Sequence, residues 1–390
     1  MEAITFNTIE LIILSVAVGL FIIQLIYYFG LYNRLHRHNK SVEKDEVHFT
    51  EELPPISVIL SGRNEADNLR KFLPAILEQD YPNFEVIVIN NASSDETEDV
   101  LGMMEEKYPH LYHSFTPDSA RYISHKKLAL TLGIKASKYE WLVFTETNCE
   151  PMSNQWLRLM ARNFTSQTQV VLGYSGYART KGWLHKKTAF DTLFTSLRYM
   201  GFALAGKPYM GIGRNLAYRK ELFFKQKGYS SYLNLQRGED DLFINQIANG
   251  DNTRIETDIH ATVRIQPIEY SNDWLEEKTS YMATAKFYCG TQRYLLGFET
   301  FSRLLFYAAC IAGITIGILN YHWLAGGIAL LIWLLRFTVQ AIVINQTAQE
   351  MGGERKYYFS LPVFDILQPI QSLRFKLSRG FRSKGDFMRR

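Results

Sequence analysis

The chain has 390 residues, of which 47% are hydrophobic and 21% are charged, so it is not a disordered polypeptide. The formal net charge of +4 is too small to point to a strongly charged partner before the charges are located. The three cysteines are widely spaced, with neither a CxxC nor a zinc-finger pattern, which indicates neither a disulfide framework nor a zinc site and favours a reducing compartment.

Residues 9–32, with the sequence IELIILSVAVGLFIIQLIYYFGLY, contain one acidic residue at their edge and no basic residue. This length and composition predict a helix that crosses a bilayer. The flank that follows, NRLHRHNK, is basic, so the positive-inside rule places it in the cytoplasm. A cleaved signal peptide would carry its positive charges before a shorter apolar run. We therefore predict an uncleaved N-terminal transmembrane helix.

After this helix, β-rich runs alternate with helical patterns. Four runs predict strands, at residues 56–61, 84–90, 111–115 and 140–146. Three segments with helical spacing or helix-start signals lie between them, at residues 67–79, 95–108 and 125–138. The alternation predicts an α/β fold with a mostly parallel central sheet and right-handed crossovers.

Polar clusters follow three of the predicted strands. They are GRNEAD at 62–67, NNASSD at 90–95 and TETNCEP at 145–151. One such cluster could be an ordinary polar loop, but the carboxyl ends of parallel strands share one sheet edge, where open α/β sheets bind ligands. The three together predict a ligand site. The chain has neither GxGxxG nor GxxxxGK[ST], so neither a dinucleotide fingerprint nor a P-loop is indicated.

Residues 304–345 are almost wholly apolar and long enough for two spans, with a turn at NYH, 320–322. Arg336 interrupts the second span, where it either snorkels or contacts a neighbouring helix, or else meets an anionic lipid headgroup. Residues 346–390 are predicted to form an interfacial segment and a basic tail, which either lies on anionic lipid or is solvated. With one span before the central region and two after it, that region and the tail share the cytoplasmic side.

Three long motifs resemble the family 2 glycosyltransferases of GT-A fold, at residues 56–90, 211–224 (GIGRNLAYRKELFF) and 238–246 (GEDDLFINQ). The resemblance covers roughly residues 50–300 and is greatest to bacterial membrane-anchored members with one N-terminal and two C-terminal spans. It implies an inverting transfer from a nucleotide-diphosphate sugar to a membrane-associated acceptor, either a lipid or a cell-envelope polysaccharide. The implied location is the bacterial inner membrane, with the catalytic domain facing the cytoplasm. No nucleic-acid partner is indicated, because the basic residues cluster at the membrane edges.

The resemblance implies that Asp240 is the catalytic base, in the run Glu239-Asp240-Asp241. Three consecutive carboxylates cannot share one helix face, so we expect Glu239 and Asp241 to orient the base or to cap a helix from about residue 241 to 249. From the residues alone, the run fits equally well an acidic first turn that is favoured by the helix dipole.

The polar clusters and several cations are predicted to bind the donor. These residues are Arg63, Asn64, Glu65, Asn91, Ser93, Asp95, Lys127, Glu146, Arg214 and Lys278. Lys126 is a further candidate for stabilising the leaving diphosphate, together with Lys127, Arg214 and Lys278.

The chain departs from the family pattern in three places. Asn91 stands where the family usually has Asp, and Glu277 and Ser280 fall where Gln and Arg are expected. The metal-binding DxD element reads Glu146-Thr147-Asn148, so we expect Glu146 and Asn148 to hold Mn²⁺ or Mg²⁺ only weakly.

Two functions fit these departures. The first is an active transferase with an unusual donor or a weak metal dependence. The second is a weak or inactive homologue that acts as a binding partner or scaffold for a glycan-assembly enzyme. The retained GEDD run favours the first. A transporter would need more than three spans.

Overall fold

The computed structural model describes residues 6–117, 124–353 and 356–380, without the side chains of residues 375–380. Its strands are β1 (Ile56–Gly62), β2 (Phe84–Asn90), β3 (Leu111–Phe115), β4 (Trp141–Phe144), β5 (Cys149–Pro151), β6 (Val170–Leu172), β7 (Ser175–Tyr177), β8 (Leu216–Arg219), β9 (Thr253–Ile255) and β10 (Val263–Ile265). Its α-helices are α1 (Thr8–Tyr27), α2 (Arg34–Glu43), α3 (Ala66–Leu77), α4 (Thr97–Lys107), α5 (His125–Ala136), α6 (Trp156–Ala161), α7 (Trp183–Leu204), α8 (Lys220–Lys225), α9 (Asp241–Ile247), α10 (Ser271–Thr284), α11 (Gln292–Leu319), α12 (Trp323–Glu350) and α13 (Leu361–Gly380).

The main sheet has seven strands in the order β3-β2-β1-β4-β8-β6-β9, and a second sheet has the order β5-β10-β7. In the main sheet β1 pairs in parallel with β2 and β4, whereas β8 runs antiparallel to β4 and β6. The predicted mostly parallel α/β sheet is therefore confirmed. Because Gly62 pairs with Asn90, the carboxyl ends of β1 and β2 lie side by side.

The apolar residues that predict the strands are buried in the centre of the sheet. All of Ile56 to Leu60 is buried, and α5 packs directly on this layer. The helix comes close because residue 133 is glycine, where a Cβ would lie 2.8 Å from Cγ2 of Ile59. The last predicted strand is shorter than expected, since β4 ends at Phe144 and frees Glu146 for the sheet edge.

Among the described residues, three helices are long and apolar enough to cross a membrane, at Thr8–Glu43, Gln292–Leu319 and Trp323–Glu350. They begin before or extend beyond the predicted spans 9–32 and 304–345. Both α11 and α12 pack against α1. The two C-terminal helices approach each other closely at Gly317, where a Cβ would lie 2.5 Å from the backbone nitrogen of Gly326.

Helix α13 is joined to the long apolar helices α11 and α12 through one carboxylate. Asp365 accepts hydrogen bonds from Arg303 Nη1 at 2.9 Å and from Arg336 Nη1 at 2.8 Å. Arg336 therefore contacts a neighbouring helix, as in the first of its two predicted roles. The exposed apolar side chains Phe359 and Ile370 fit the interfacial position expected for this segment, which stays a prediction. The basic tail from residue 381 lies outside the described residues.

Candidate active site

The loops that follow β1 and β2 are joined by hydrogen bonds. The backbone N–H of Asn64 donates to Ser93 Oγ at 2.9 Å, and the N–H of Ser94 donates to Asn64 Oδ1 at 2.9 Å. The N–H of Asn91 donates to the carbonyl of Gly62 at 2.8 Å. The structure thus brings together Asn64, Asn91 and Ser93, which are predicted to bind the donor substrate, at one edge of the sheet.

The other predicted residues of these loops take different positions. Asp95 accepts the N–H groups of Ala66 at 3.3 Å and of Thr97 at 3.1 Å. Hydrogen bonds from Thr97 lower the pKa of Asp95, which keeps this carboxylate ionised. Burial raises the pKa of Glu65. The exposed side chain of Arg63 makes no hydrogen bond or ion pair within the described part of the chain.

Five side chains of alternating charge form a continuous row, called the charge chain below. Arg214 Nη2 lies 3.1 Å from Glu277 Oε1, and Arg214 Nε lies 2.7 Å from Glu146 Oε2. Lys126 Nζ lies 2.6 Å from Glu146 Oε1 and 3.2 Å from Glu239 Oε1. Glu146 stands at the centre of the row, with one cation on each of its oxygens.

The fold positions each member of the charge chain on a different element. Glu146 follows the carboxyl end of β4, Lys126 lies in the first turn of α5, and Arg214 lies in the turn before β8. Burial would raise the pKa of Glu146, but the attraction of Lys126 and Arg214 is stronger and holds it well below its usual range. Arg214 and Arg237 likewise keep the pKa of Glu277 low despite burial. The chain is therefore fully charged at neutral pH.

The predicted metal ligands do not fit a divalent cation as the structure holds them. Both oxygens of Glu146 accept charged N–H groups, and the Oδ1 atom of Asn148 accepts the thiol of Cys149 at 3.4 Å. Within the described ranges no group of three His, Cys, Asp or Glu side chains could hold a metal ion. Mg²⁺ at a nucleotide site is usually held by one or two carboxylates together with phosphate oxygens and waters. Here the one carboxylate among the predicted ligands, that of Glu146, is already paired on both oxygens with cationic side chains.

Asp240 is buried beside the charge chain and is held on both oxygens. Oδ2 accepts the N–H of Gly213 at 3.0 Å and the hydroxyl of Tyr281 at 3.1 Å. Oδ1 accepts the N–H of Asp241 at 2.7 Å, so Asp240 itself caps α9. This corrects the expectation that Glu239 or Asp241 provides the cap. Burial and the neighbouring Glu239 raise the pKa of Asp240, which makes it a stronger base.

Glu239 and Asp241 face different partners, as expected for consecutive carboxylates. Glu239 joins the charge chain through Lys126. Asp241 is fully buried and accepts the hydroxyl groups of Tyr288, at 2.7 Å, and of Thr284. Burial and the adjacent Asp240 raise the pKa of Asp241 to about 7. Asp241 therefore joins the start of α9 to the end of α10.

Two predicted phosphate-binding lysines have other partners in the structure. Lys127 Nζ donates to the carbonyl groups of Tyr232 at 2.8 Å, Leu235 at 2.7 Å and Arg237 at 2.9 Å. All three protons of its ammonium group are used, so Lys127 supports the backbone that leads to Glu239 rather than a phosphate group. Lys278 forms an ion pair with Asp191. The position of Lys127 differs from the expectation of diphosphate binding, whereas for Lys278 that expectation stays a prediction.

Sequence reasoning missed Arg237 and Tyr281. The Arg237 guanidinium lies 5.1 Å from the centre of the Tyr281 ring, and the Tyr281 hydroxyl donates to Asp240. Burial disfavours the charged form of Arg237, but Tyr281 and Glu277 outweigh this effect and hold its pKa above the usual range, so the guanidinium stays protonated. The one available signal was the basic residue directly before the GEDD run.

A cavity of about 210 Å³, called the acceptor-side cavity below, lies between α7, α10, α11 and α13. Arg214, Tyr281 and Trp274 line it near the charge chain, and Leu296 of α11 and Gln368 of α13 line it near the membrane helices. It therefore connects the surroundings of Asp240 with a helix long enough to cross a membrane.

Residues 57–225 match the sequence model of glycosyl transferase family 2. Over 110 residues the chain is 33% identical to glycosyltransferase AglE of Haloferax volcanii, covering 28% of this chain and 34% of AglE. Over 122 residues it is 27% identical to a poly-beta-1,6-N-acetyl-D-glucosamine synthase of Staphylococcus epidermidis, covering 31% of this chain and 27% of the synthase. The chain thus spans about a third or less of the length of these relatives.

A solved structure covers far more of the chain. Mannosyltransferase PcManGT from Pyrobaculum calidifontis, determined in complex with GDP-Man and Mn²⁺, aligns with 88% of this chain and 100% of its own, with a TM-score of 0.55. The two sequences are 18% identical, so the likeness shows a common fold. That fold confirms the predicted GT-A type of α/β architecture.

Proposed function

We propose that this chain, whose residues 57–225 form a family 2 glycosyltransferase domain, transfers a sugar from a nucleotide-diphosphate sugar to a membrane-associated acceptor. One observation carries the proposal: the buried carboxylate Asp240 and the cations Lys126 and Arg214 lie at the same edge of the sheet. Sugar transfer needs a base for the acceptor hydroxyl and positive charge for the departing diphosphate. These residues supply both.

In the proposed reaction, the acceptor oxygen forms a bond with the anomeric carbon while its proton passes to Asp240. The bond between the anomeric carbon and the diphosphate oxygen breaks, and its electron pair leaves with the nucleoside diphosphate. Attack from the face opposite the leaving group inverts the anomeric centre. The hydrogen bonds from Gly213 and Tyr281 hold the carboxylate in place for proton transfer.

The donor nucleotide is proposed to bind the joined loops after β1 and β2. Asn64, Asn91 and Ser93 offer amide and hydroxyl groups for hydrogen bonds with a base and a ribose. The exposed Arg63 is proposed to meet a phosphate or ribose oxygen. The relatives support a nucleotide-sugar donor, since PcManGT is described in complex with GDP-Man.

The acceptor is proposed to be a lipid or a cell-envelope glycan that is held at the membrane. The acceptor-side cavity supports this, because it runs from Tyr281 to Leu296 of α11. Its walls combine aromatic rings with amide and hydroxyl groups, as sugar-binding surfaces do. The basic residues of α2 favour an enzyme of the bacterial inner membrane with its catalytic domain in the cytoplasm.

One observation favours a second candidate, an inactive homologue that binds a partner enzyme. Lys126 and Arg214 are already paired with carboxylates of the same chain, and Glu277 adds negative charge where the family resemblance implies Gln. Such a site could hold its shape without a donor.

Calorimetric titration of the purified full chain with UDP, GDP and their sugars, with and without Mn²⁺, tests the proposal. We expect one nucleotide and its sugar to bind, and the sugar to be transferred when a membrane extract supplies the acceptor. The absence of any binding would refute the donor site. Binding without transfer to any membrane fraction would favour the inactive homologue.

A further inference from the structure

Building on the proposed function, we propose that Lys126 and Arg214 neutralise the donor diphosphate in place of a divalent cation. Glu146, which bridges these two cations, is then an internal anion that moves aside when the donor binds. The site thus needs no metal ion for donor binding.

The contacts of Glu146 are the first reason. Its two carboxylate oxygens lie 2.6 Å from Lys126 Nζ and 2.7 Å from Arg214 Nε. A divalent cation that touched Glu146 would stand within a few ångströms of both positive groups. The repulsion between like charges at such distances is large at the edge of a protein interior. The position that a metal would take is therefore already served by two cationic side chains.

The shortage of anionic ligands is the second reason. Glu239 is held by Lys126, and Glu277 is held by Arg214, so neither carboxylate is available to surround a metal beside Glu146. Asn148 offers only a neutral oxygen. The charge chain instead resembles a row of ion pairs in which a phosphate oxygen can replace a carboxylate oxygen, since both accept the same N–H groups.

The exposure of the central pair is the third reason. The side chains of Lys126 and Glu146 are 35% and 20% exposed, so a ligand can reach the bond between them. Lys126, Glu146, Gly213 and Asp240 line one small cavity, which sets the cations and the base around a common space. Arg237 adds a third positive charge nearby, with its guanidinium 5.1 Å from the centre of the Tyr281 ring. Three cations thus remain for the diphosphate once Glu146 has moved.

The two interpretations of Glu146 predict opposite effects of one substitution. If Glu146 competes with the diphosphate, Glu146→Gln should bind UDP or GDP about tenfold more tightly in EDTA, because a neutral amide holds the cations less strongly. If Glu146 binds a metal, the same variant should bind the nucleotide more weakly and only in Mn²⁺. Glu150→Gln, at an exposed position near the site, is the matched control and should behave as the wild type.

The experiment is calorimetric titration of the full chain with UDP and GDP, each in EDTA and in Mn²⁺. For the wild type we expect the same affinity within about twofold in both conditions. Lys126→Met should weaken nucleotide diphosphate binding about tenfold, whereas Lys126→Arg should keep most of it. Glu146→Gln should raise the affinity for a nucleoside monophosphate much less than it raises the affinity for UDP or GDP.

Two results would overturn the inference and leave the proposed function intact: nucleotide binding that requires Mn²⁺, or weaker binding by Glu146→Gln. Failure of UDP and GDP to bind to the wild type and to every variant, with or without Mn²⁺, would overturn the proposed function and this inference together. The two failures are therefore distinguishable.

Discussion

Two of the networks of paired charges in the described part of the chain differ in what surrounds them. The charge chain lies at the sheet edge, beside two cavities, with its central side chains partly exposed. The second, called the membrane-side network, joins Arg303 and Arg336 of the long apolar helices to Asp365 of α13, and no side chain in it is more than 1% exposed. Gln24 and Tyr307 make further hydrogen bonds with Arg336.

This difference decides what each network can do. Removing one partner from a sealed ion pair leaves a charge in a medium that cannot solvate it, so such a network keeps a single arrangement. Ion pairs that border a cavity can exchange one anion for another at little cost, because the replacement restores the same hydrogen bonds. The same residue types thus keep a single arrangement among the long apolar helices and form a site that can exchange anions at the sheet edge.

The largest expected effect tests whether chemistry occurs beside the charge chain. Asp240→Asn should lower turnover about a thousandfold, because the amide cannot accept the hydroxyl proton. Nucleotide affinity should stay within a few-fold, since Asp240 is not a member of the charge chain. Sugar-transfer rates and calorimetry measure the two quantities, with the exposed Asp251→Asn as control. A variant with full rate would exclude Asp240 as the base.

The next prediction tests whether the membrane-side network keeps a single arrangement. Asp365→Asn should lower the free energy of unfolding by about 3–5 kcal/mol, because it removes the carboxylate shared by two buried guanidinium groups, of which Arg303 keeps Glu299 at 3.6 Å. Nucleotide affinity should be unchanged. Unfolding in lipid nanodiscs measures the loss, and the exposed Asp273→Asn is the control. An unchanged midpoint would mean that the membrane-side network is as exchangeable as the charge chain.

A smaller effect is expected at the support beneath the charge chain. Lys127→Met should lower turnover about tenfold with little change in nucleotide affinity, because the backbone before Glu239 loses three hydrogen bonds. Burial lowers the pKa of Lys127 to about 8, so the ammonium group is present below this pH and is lost above it. Wild-type turnover should therefore fall as the pH rises past 8.

The acid side of the same pH profile belongs to Asp240. Its raised pKa means that the base is protonated, and turnover is low, at pH values where an ordinary aspartate is still ionised. The Lys127→Met variant should keep this acid limb and lose the alkaline one. The exposed Lys225→Met should retain both limbs, and an alkaline limb that persists in Lys127→Met would assign it to another group.

The smallest expected effect tests whether the charge chain can accept a metal ion. Asn148→Asp adds a carboxylate two residues from Glu146, yet it should change nucleotide affinity in Mn²⁺ less than about threefold, because Lys126 and Arg214 still hold Glu146. Titrations with and without Mn²⁺ measure this. A strong Mn²⁺ dependence in the variant would show that the site can accept a cation after one substitution.

The sequence predicts the parts of this protein that depend on local patterns. The runs 56–61 and 84–90 form strands at nearly the expected bounds, because β-branched residues in short apolar runs fit a buried sheet. The short strand predicted at 111–115 also forms. The long apolar segments form the expected helices, because their length and composition suit a bilayer-spanning helix. The clusters around Asn64 and Asn91 were found because each follows a predicted strand, whereas the role of Asp240 came from the family resemblance.

The partners of the charged residues could not be predicted. Glu146 is 20 residues from Lys126 and 68 residues from Arg214, and only the fold brings the three together. Lys127 follows Lys126 directly, yet it lies under the backbone of residues 232–237 because adjacent helical residues point in different directions. The metal expectation rested on the position of the family's DxD element at residues 146–148 and on the residue types there, without the cations that surround Glu146.

The position of Asp365 near the end of the chain has a consequence for how the protein is made. Arg336 leaves the ribosome before Asp365 does, so the nascent chain first carries this arginine without the carboxylate that pairs with it. Arg303 differs, because Glu299 lies one turn before it on the same helix. Asp365 can pair with Arg303 and Arg336 only after the final helix packs against the two long helices. Translation that stops before residue 361 would leave Arg336 without the carboxylate of Asp365 among the long apolar helices.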